Sequence, residues 1–261
     1  MPDSETINGY PAPIRGAAFY LLLGLLYIFF ADGVYRQYYA YIWFGGNGPS
    51  LARNTAALLG SMAVSWGVYA VGLLALCRFF GLSKSALGLK KPAEHIGAHI
   101  ASGAFLGVLV YTLNVWFVTG ALYLVQQGSP RAFYAFHWSF PGLSAVPNLF
   151  AVLSLLNVIV IAPVMEELTF RGGIYTLLSR RIGVRWSVLA TSALFSLTHL
   201  TINKVFLSGN DLSWVINQFV YHFLGGLLYN ILFIRSRSLA APISAHIAYN
   251  FCVNFMVRTL V

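Results

Sequence analysis

Apolar stretches of about twenty residues recur along the whole chain, and that is the length of helix a bilayer's hydrocarbon core requires. They fall at 16–34, 55–77, 99–125, 148–171, 186–207, 213–234 and 239–260. The chain is 58% hydrophobic and 9% charged, whereas a soluble domain is roughly a quarter charged. The pattern therefore predicts an all-α fold, a polytopic transmembrane helical bundle of seven spans, or eight if residues 126–147 also cross. That stretch is aromatic-rich but contains Pro130, Arg131 and Pro141, which suits an interfacial or re-entrant segment better than a span. The first stretch follows Arg15, is longer than a signal-peptide core and has aromatics in place of a small-residue cleavage site, so it is expected to be retained. No linker, repeat or low-complexity segment divides the chain, and residues 1–261 read as a single integral-membrane domain.

The formal net charge is +9, but the basic residues are scattered between apolar runs and form no stripe of the kind nucleic acid requires. The lipid bilayer is the partner they fit. Arg15, Arg78, Lys84, Lys90, Lys91, Arg180, Arg181, Arg185, Arg235 and Arg237 fall on one side of a seven-span topology, against Arg36, Arg53, Arg131, Lys204 and Arg258 on the other. Basic residues favour the cytoplasmic side, so a multi-pass protein with its N-terminus inside is expected, in the cell membrane if the source is prokaryotic. Cys77 and Cys252 lie far apart in apolar segments with no CxxC spacing, which points to neither a disulfide framework nor a thiolate metal site.

Five of the seven acidic residues lie near the N-terminus, at a span end or between spans; Glu166 and Glu167 end an apolar run instead. A charge in a span costs on the order of 3 kcal/mol, which makes an intramembrane acidic pair a functional-site hypothesis. The plainer reading is a pair in the wetted headgroup zone. Glu167 and Arg171 are four apart, the favourable order for a helical ion pair. Glu166 points about 100° away on a helix and has no cationic partner in sequence, which suits a general base.

Three histidines share this part of the chain. Phe195 and His199 lie one turn apart on one helix face, as do His246 and Asn250; hydrogen-bond donors stacked that way can stabilise an oxyanion in a dry site. His222 precedes Gly225-Gly226 in a span where close helix approach is expected, and packing is its favoured role. Counted at 1.5 Å per residue from the basic connections, Glu166 and His199 lie about 21 Å deep and His246 about 14 Å. Carboxylate and imidazole groups thus reach one layer, unless Gly172-Gly173 ends the helix early and brings Glu166 nearer the basic side.

The ordered set E-E-x-x-x-R, F-x-x-x-H, an aromatic- and glycine-rich span and H-x-x-x-N resembles the CAAX protease and bacteriocin-processing family of intramembrane endopeptidases, which includes the type II CAAX prenyl endopeptidases. Arg237-Ser238-Leu239-Ala240-Ala241-Pro242-Ile243 supports the match, which spans about Ala162 to Cys252. The resemblance implies a catalytic core over about 148–254 and hydrolysis of a peptide bond in a membrane protein or peptide substrate, within a water-filled cavity open to the cytoplasmic half. It implies that Glu166 and His199 activate water, that Glu167 and Arg171 support them, and that His246 and Asn250 stabilise the oxyanion. No cofactor is required on a glutamate-and-water route; an open zinc site on Glu166, His199 and His246 is the competing account, although no H-E-x-x-H helix is present. A proton- or ion-coupled transporter would also keep such residues, but repeat symmetry and paired broken helices are not evident. A non-catalytic membrane scaffold retaining the motifs is the other alternative. Convergence of Glu166, His199 and His246 on one cavity is what separates a hydrolase from these.

Overall fold

A computed structural model describes residues 95–125, 134–138, 149–200 and 212–260, with isolated positions between 59 and 78. The expected span 16–34, most of 55–77 including Cys77, and most of 126–147 lie outside the described residues. Five helices run through the rest. Helix α1 is Ile96–Val125, and α2 covers 149–182. Helix α3 covers 184–199, α4 is Leu212–Ser236, and α5 is Ala240–Phe255.

The break between α2 and α3 is at Gly183, with φ 77 and ψ 167, a conformation open to glycine because it lacks a Cβ. This corrects two expectations. The helix carrying Glu166 passes through Gly172-Gly173 and ends beyond residue 171, and the one carrying His199 stops there, with Leu200 leaving helical geometry at φ −91, ψ 69. The stretch from 239 to 260 is also not all helix. Its last residues, Met256–Leu260, form a strand (β2) paired antiparallel with β1, Tyr134–Trp138, so that Tyr134 faces Leu260 and Trp138 faces Met256. Val257 and Thr259 are β-branched, which favours extended backbone. Among the described residues the fold is helical apart from this ribbon.

Among the described residues one helix, over Ile96–Val115, is long and apolar enough to cross a membrane by length and composition. Helix α4 carries Asn, Gln, His and Arg within its length, which lowers its mean hydropathy, and α5 has 16 residues. Large apolar side chains face outward all the same, among them Phe105, Leu113, Ile216 and Val253.

Small residues set the helix packing. On α1, Gly103 and Gly107 lie one turn apart against α5, and a Cβ on either would overlap α5 backbone, that of Ala241 and Ala245 respectively. The same seam continues through Tyr111, edge-on to Tyr249 at 5.8 Å, and Val115 beside Cys252, so α1 and α5 run parallel. Gly103-x-x-x-Gly107 is the small-residue spacing that lets two membrane helices approach closely. Helices α3 and α4 are antiparallel and joined by polar groups. A Cβ on Gly226 would stand 3.0 Å from Ser192 Cα, while the buried Asn230 amide donates to Thr191 Oγ1 (3.0 Å) and Ser192 Oγ (3.1 Å). The expected close approach at Gly225-Gly226 is therefore made by Gly226. The turn into α5 is tight: Arg237 takes φ 52 and donates its N–H to Phe233 O, and Ser238 Oγ accepts the Ala240 N–H, a left-handed C-cap followed by an N-cap.

Gly107→Leu is expected to destabilise the protein by about 3 kcal/mol or more, because the overlap is with backbone and cannot be relieved by a rotamer change. Thermal unfolding of purified protein in detergent measures it; an unchanged melting temperature would contradict the seam.

Candidate active site

Helix α2 does not keep α-helical geometry throughout. Wider π-helical turns occupy Asn157–Ile161 and Leu168–Tyr175, and between them lies the short α-helical piece Ala162–Glu167, with Pro163 in its first turn. Such insertions rotate the later part of a helix relative to the earlier part, and they recur at functional sites. Glu166 and Glu167 sit at the end of the short piece. The second π segment turns Phe170, Arg171 and Ile174 inward, all within 1% of complete burial.

Glu167 and Arg171 are both fully buried, and Arg171 Nη1 donates to Glu167 Oε1 at 2.9 Å. An ion pair in such a place must recover the hydration that both charges lose, which takes further hydrogen bonds. They are supplied from two other helices. Arg171 Nη2 donates to Gly226 O of α4 at 3.0 Å, and His246 Nδ1 of α5 lies 2.9 Å from the same Glu167 oxygen. The guanidinium also stands 4.8 Å from the Phe195 ring centre and 5.1 Å from that of Tyr229, where ring faces favour a cation. Gly226 O is shared, since the Asn230 amide donates to it at 3.0 Å.

Glu166, turned away from the ion pair, meets two imidazoles. Its Oε2 lies 3.8 Å from His199 Nε2 and 3.7 Å from His246 Nε2, and this buried oxygen has no hydrogen-bond partner among the described residues. The tautomers are set by the other ring nitrogens. His199 Nδ1 lies 2.8 Å from Phe195 O; a carbonyl only accepts, so Nδ1 carries the proton and Nε2 presents a lone pair toward Glu166 in the neutral ring. His246 Nδ1, against a carboxylate, is likewise the N–H. Of these side chains His199 is the most exposed, at 22%, followed by Glu166 at 12%, with His246 at 6%. The open side of the site is therefore where Glu166 and His199 stand.

Aromatic rings hold the imidazoles in plane. Tyr229 stacks on His246 at 4.7 Å, and His222 stacks on His199 at 4.1 Å with only 22° between planes. Phe195 covers His199 from 4.5 Å. His222, expected to pack, does so against a site residue, its own Nδ1 donating to Gln218 O at 2.8 Å. Asn250 lies one turn beyond His246, but its amide donates to Val158 O of α2 at 3.0 Å. The structure thus brings Glu166, Glu167, Arg171, His199 and His246 together and ties Asn250 to the backbone of α2. Sequence reading missed Tyr229, Asn230 and the Gly226 carbonyl. Asn230 had a signal, being an uncompensated amide in an apolar run; a backbone carbonyl has none.

Among the described residues no group of three His, Cys, Asp or Glu side chains is arranged to hold a metal ion. Tetrahedral zinc with bonds near 2.05 Å sets its ligand atoms about 3.4 Å apart, closer than the 3.7 and 3.8 Å separations from Glu166.

A buried carboxylate and two imidazoles converge on one point, braced by a buried ion pair, and groups of these types can exchange protons. Residues 148–252 match the family model for type II CAAX prenyl endopeptidases, Rce1-like; this segment is a domain of the CAAX protease family. No curated protein and no solved structure matches the chain.

Arg171→Met is expected to cost about 3–5 kcal/mol, because Glu167 is then left charged and unpaired in the interior. Pairing it with Glu167→Gln should restore much of that loss. Thermal unfolding of the two variants checks the claim, and equal melting temperatures would contradict it.

Proposed function

We propose that this protein is an intramembrane endopeptidase, a multi-pass protein that hydrolyses a peptide bond of a membrane-associated substrate by water that Glu166 and His199 activate. The observation that carries the reading is the approach of Glu166 Oε2 to two imidazole Nε2 atoms whose Nδ1–H groups are already engaged. Water bridging Glu166 and His199 loses a proton to them as its oxygen attacks the scissile carbonyl. The same proton then passes to the departing amine as the C–N bond breaks. General acid–base catalysis of this kind contributes about 10²–10⁴-fold.

His246 is suited to the carbonyl oxygen. With Nδ1–H held by Glu167, its protonated form directs Nε2–H into the site, where a developing oxyanion is stabilised most when water is excluded. The ion pair of Glu167 and Arg171 orients that ring. The matched family's description names a CAAX prenyl endopeptidase, so a prenylated C-a-a-X peptide is the first substrate class proposed. Such a lipid-anchored peptide arrives from the bilayer plane, which suits a seven-span bundle with the arginines flanking Gly183 and the α4–α5 turn on its cytoplasmic face.

The test is cleavage of a farnesylated C-a-a-X peptide by purified protein in lipid vesicles, with the unprenylated peptide as control. Glu166→Gln and His199→Ala should each fold and lose at least about a hundredfold in rate. A chelator should leave the wild-type rate unchanged; a chelated loss that zinc restores would overturn the metal-free route. Full activity in both variants would overturn the site.

A further inference from the structure

We infer that Asn250 is a positioning residue for Glu166: its amide supplies the hydrogen bond that Pro163 withholds from the Val158 carbonyl. The inference rests on the reading of Glu166 as the water-activating carboxylate. A helical carbonyl takes its hydrogen bond from the N–H four residues on, or five in a π turn. For Val158 neither is available. The Ala162 N–H goes to Asn157 O across the π turn, and the next residue is Pro163, which has no N–H. The Asn250 amide fills the place from α5, donating to Val158 O at 3.0 Å across 92 residues of sequence.

This contact controls the site geometrically. The π turn Asn157–Ile161 sets the rotation of the short piece Ala162–Glu167 directly after it. If the Val158 carbonyl loses its donor, the wide turn is no longer favoured over ordinary α-helical winding. A one-residue change of phase rotates the downstream residues by about 100°, which would carry Glu166 away from both imidazoles. Asn250 is also four residues from His246 on the same helix. One side chain therefore fixes the α2 backbone against the helix that presents His246, and so sets the 3.7 Å between Glu166 Oε2 and His246 Nε2. In this role Asn250 acts through the backbone ahead of the carboxylate and does not need to touch the reacting carbonyl.

The role has a specific genetic signature, because Pro163→Ala returns a backbone N–H to the place where Asn250 compensates for its loss. Asn250→Ala should lower kcat about a hundredfold, the scale of a misplacement near 1 Å, with KM within about twofold. Pro163→Ala should stay near wild type, and the double variant should fall within about tenfold of Pro163→Ala. A double variant as slow as Asn250→Ala would overturn the inference, since an oxyanion donor cannot be replaced by a backbone N–H at residue 163. If Asn250→Ala fails to fold alone, the comparison of Pro163→Ala with the double variant decides by the same threshold. Melting temperatures provide a readout independent of substrate: Asn250→Ala should destabilise less in the Pro163→Ala background, and strictly additive effects would overturn the inference even for protein that cleaves nothing. Failure of the protease reading would show instead as unaltered cleavage in Glu166→Gln.

Discussion

The ion pair between Glu167 and Arg171 is the constraint that the rest of the site depends on. Its two charges lie wholly within the apolar interior, where they persist only with polar partners, and those partners come from different helices. Arg171 reaches the Gly226 carbonyl on α4, and Glu167 reaches His246 on α5. Three helices are thereby held in one register by a salt bridge that would contribute little on a surface. Because His246 is anchored through one ring nitrogen, the other has a fixed direction, and Glu166, the adjacent residue on the next helix face, stands opposite it. Two neighbouring carboxylates thus have different surroundings, one in a buried ion pair and the other facing two imidazoles.

The polar network extends beyond that pair. Thr191 and Ser192 hold the Asn230 amide, Asn230 shares the Gly226 carbonyl with Arg171, and Arg171 holds Glu167. A buried polar group left without a partner is costly, so the chain of contacts favours one arrangement of α3 and α4 against α2, although Arg171 Nε and Glu167 Oε2 have no hydrogen-bond partner among the described residues. Gly226 makes this possible by letting Ser192 come close enough for Asn230 to bridge.

Much of the site was legible because its chemistry is costly in an apolar chain. Glu166, Glu167 and Arg171 are conspicuous there, and counting along each helix from the basic connections put His199 and His246 at comparable depth. The illegible part depends on backbone geometry. The π turns of α2 have no side-chain signature, and the break falls at Gly183 although Gly172-Gly173 is the stronger glycine signal, because those two are enclosed in the helix while Gly183 is exposed. Asn250 illustrates the same limit. Its spacing from His246 puts both on one helix face, but nothing in that spacing shows that its amide donates to the Val158 carbonyl, which Pro163, 87 positions before Asn250, leaves short of a backbone donor. The Gly103-x-x-x-Gly107 seam, in contrast, was written in the sequence and could have predicted where α1 packs.

That seam also separates the family unit from the folding unit. The family match begins at residue 148, yet the face of α5 that backs His246 is covered by α1, which lies entirely before it. Ala241, Ala245, Tyr249 and Cys252 are buried, and α1 lies against all four along the seam of Gly103, Gly107, Tyr111 and Val115. A fragment restricted to the matched residues would contain every acid–base group yet lack the strut behind the helix that presents one of them. The shared chemistry and the mechanical support therefore follow different boundaries along the chain.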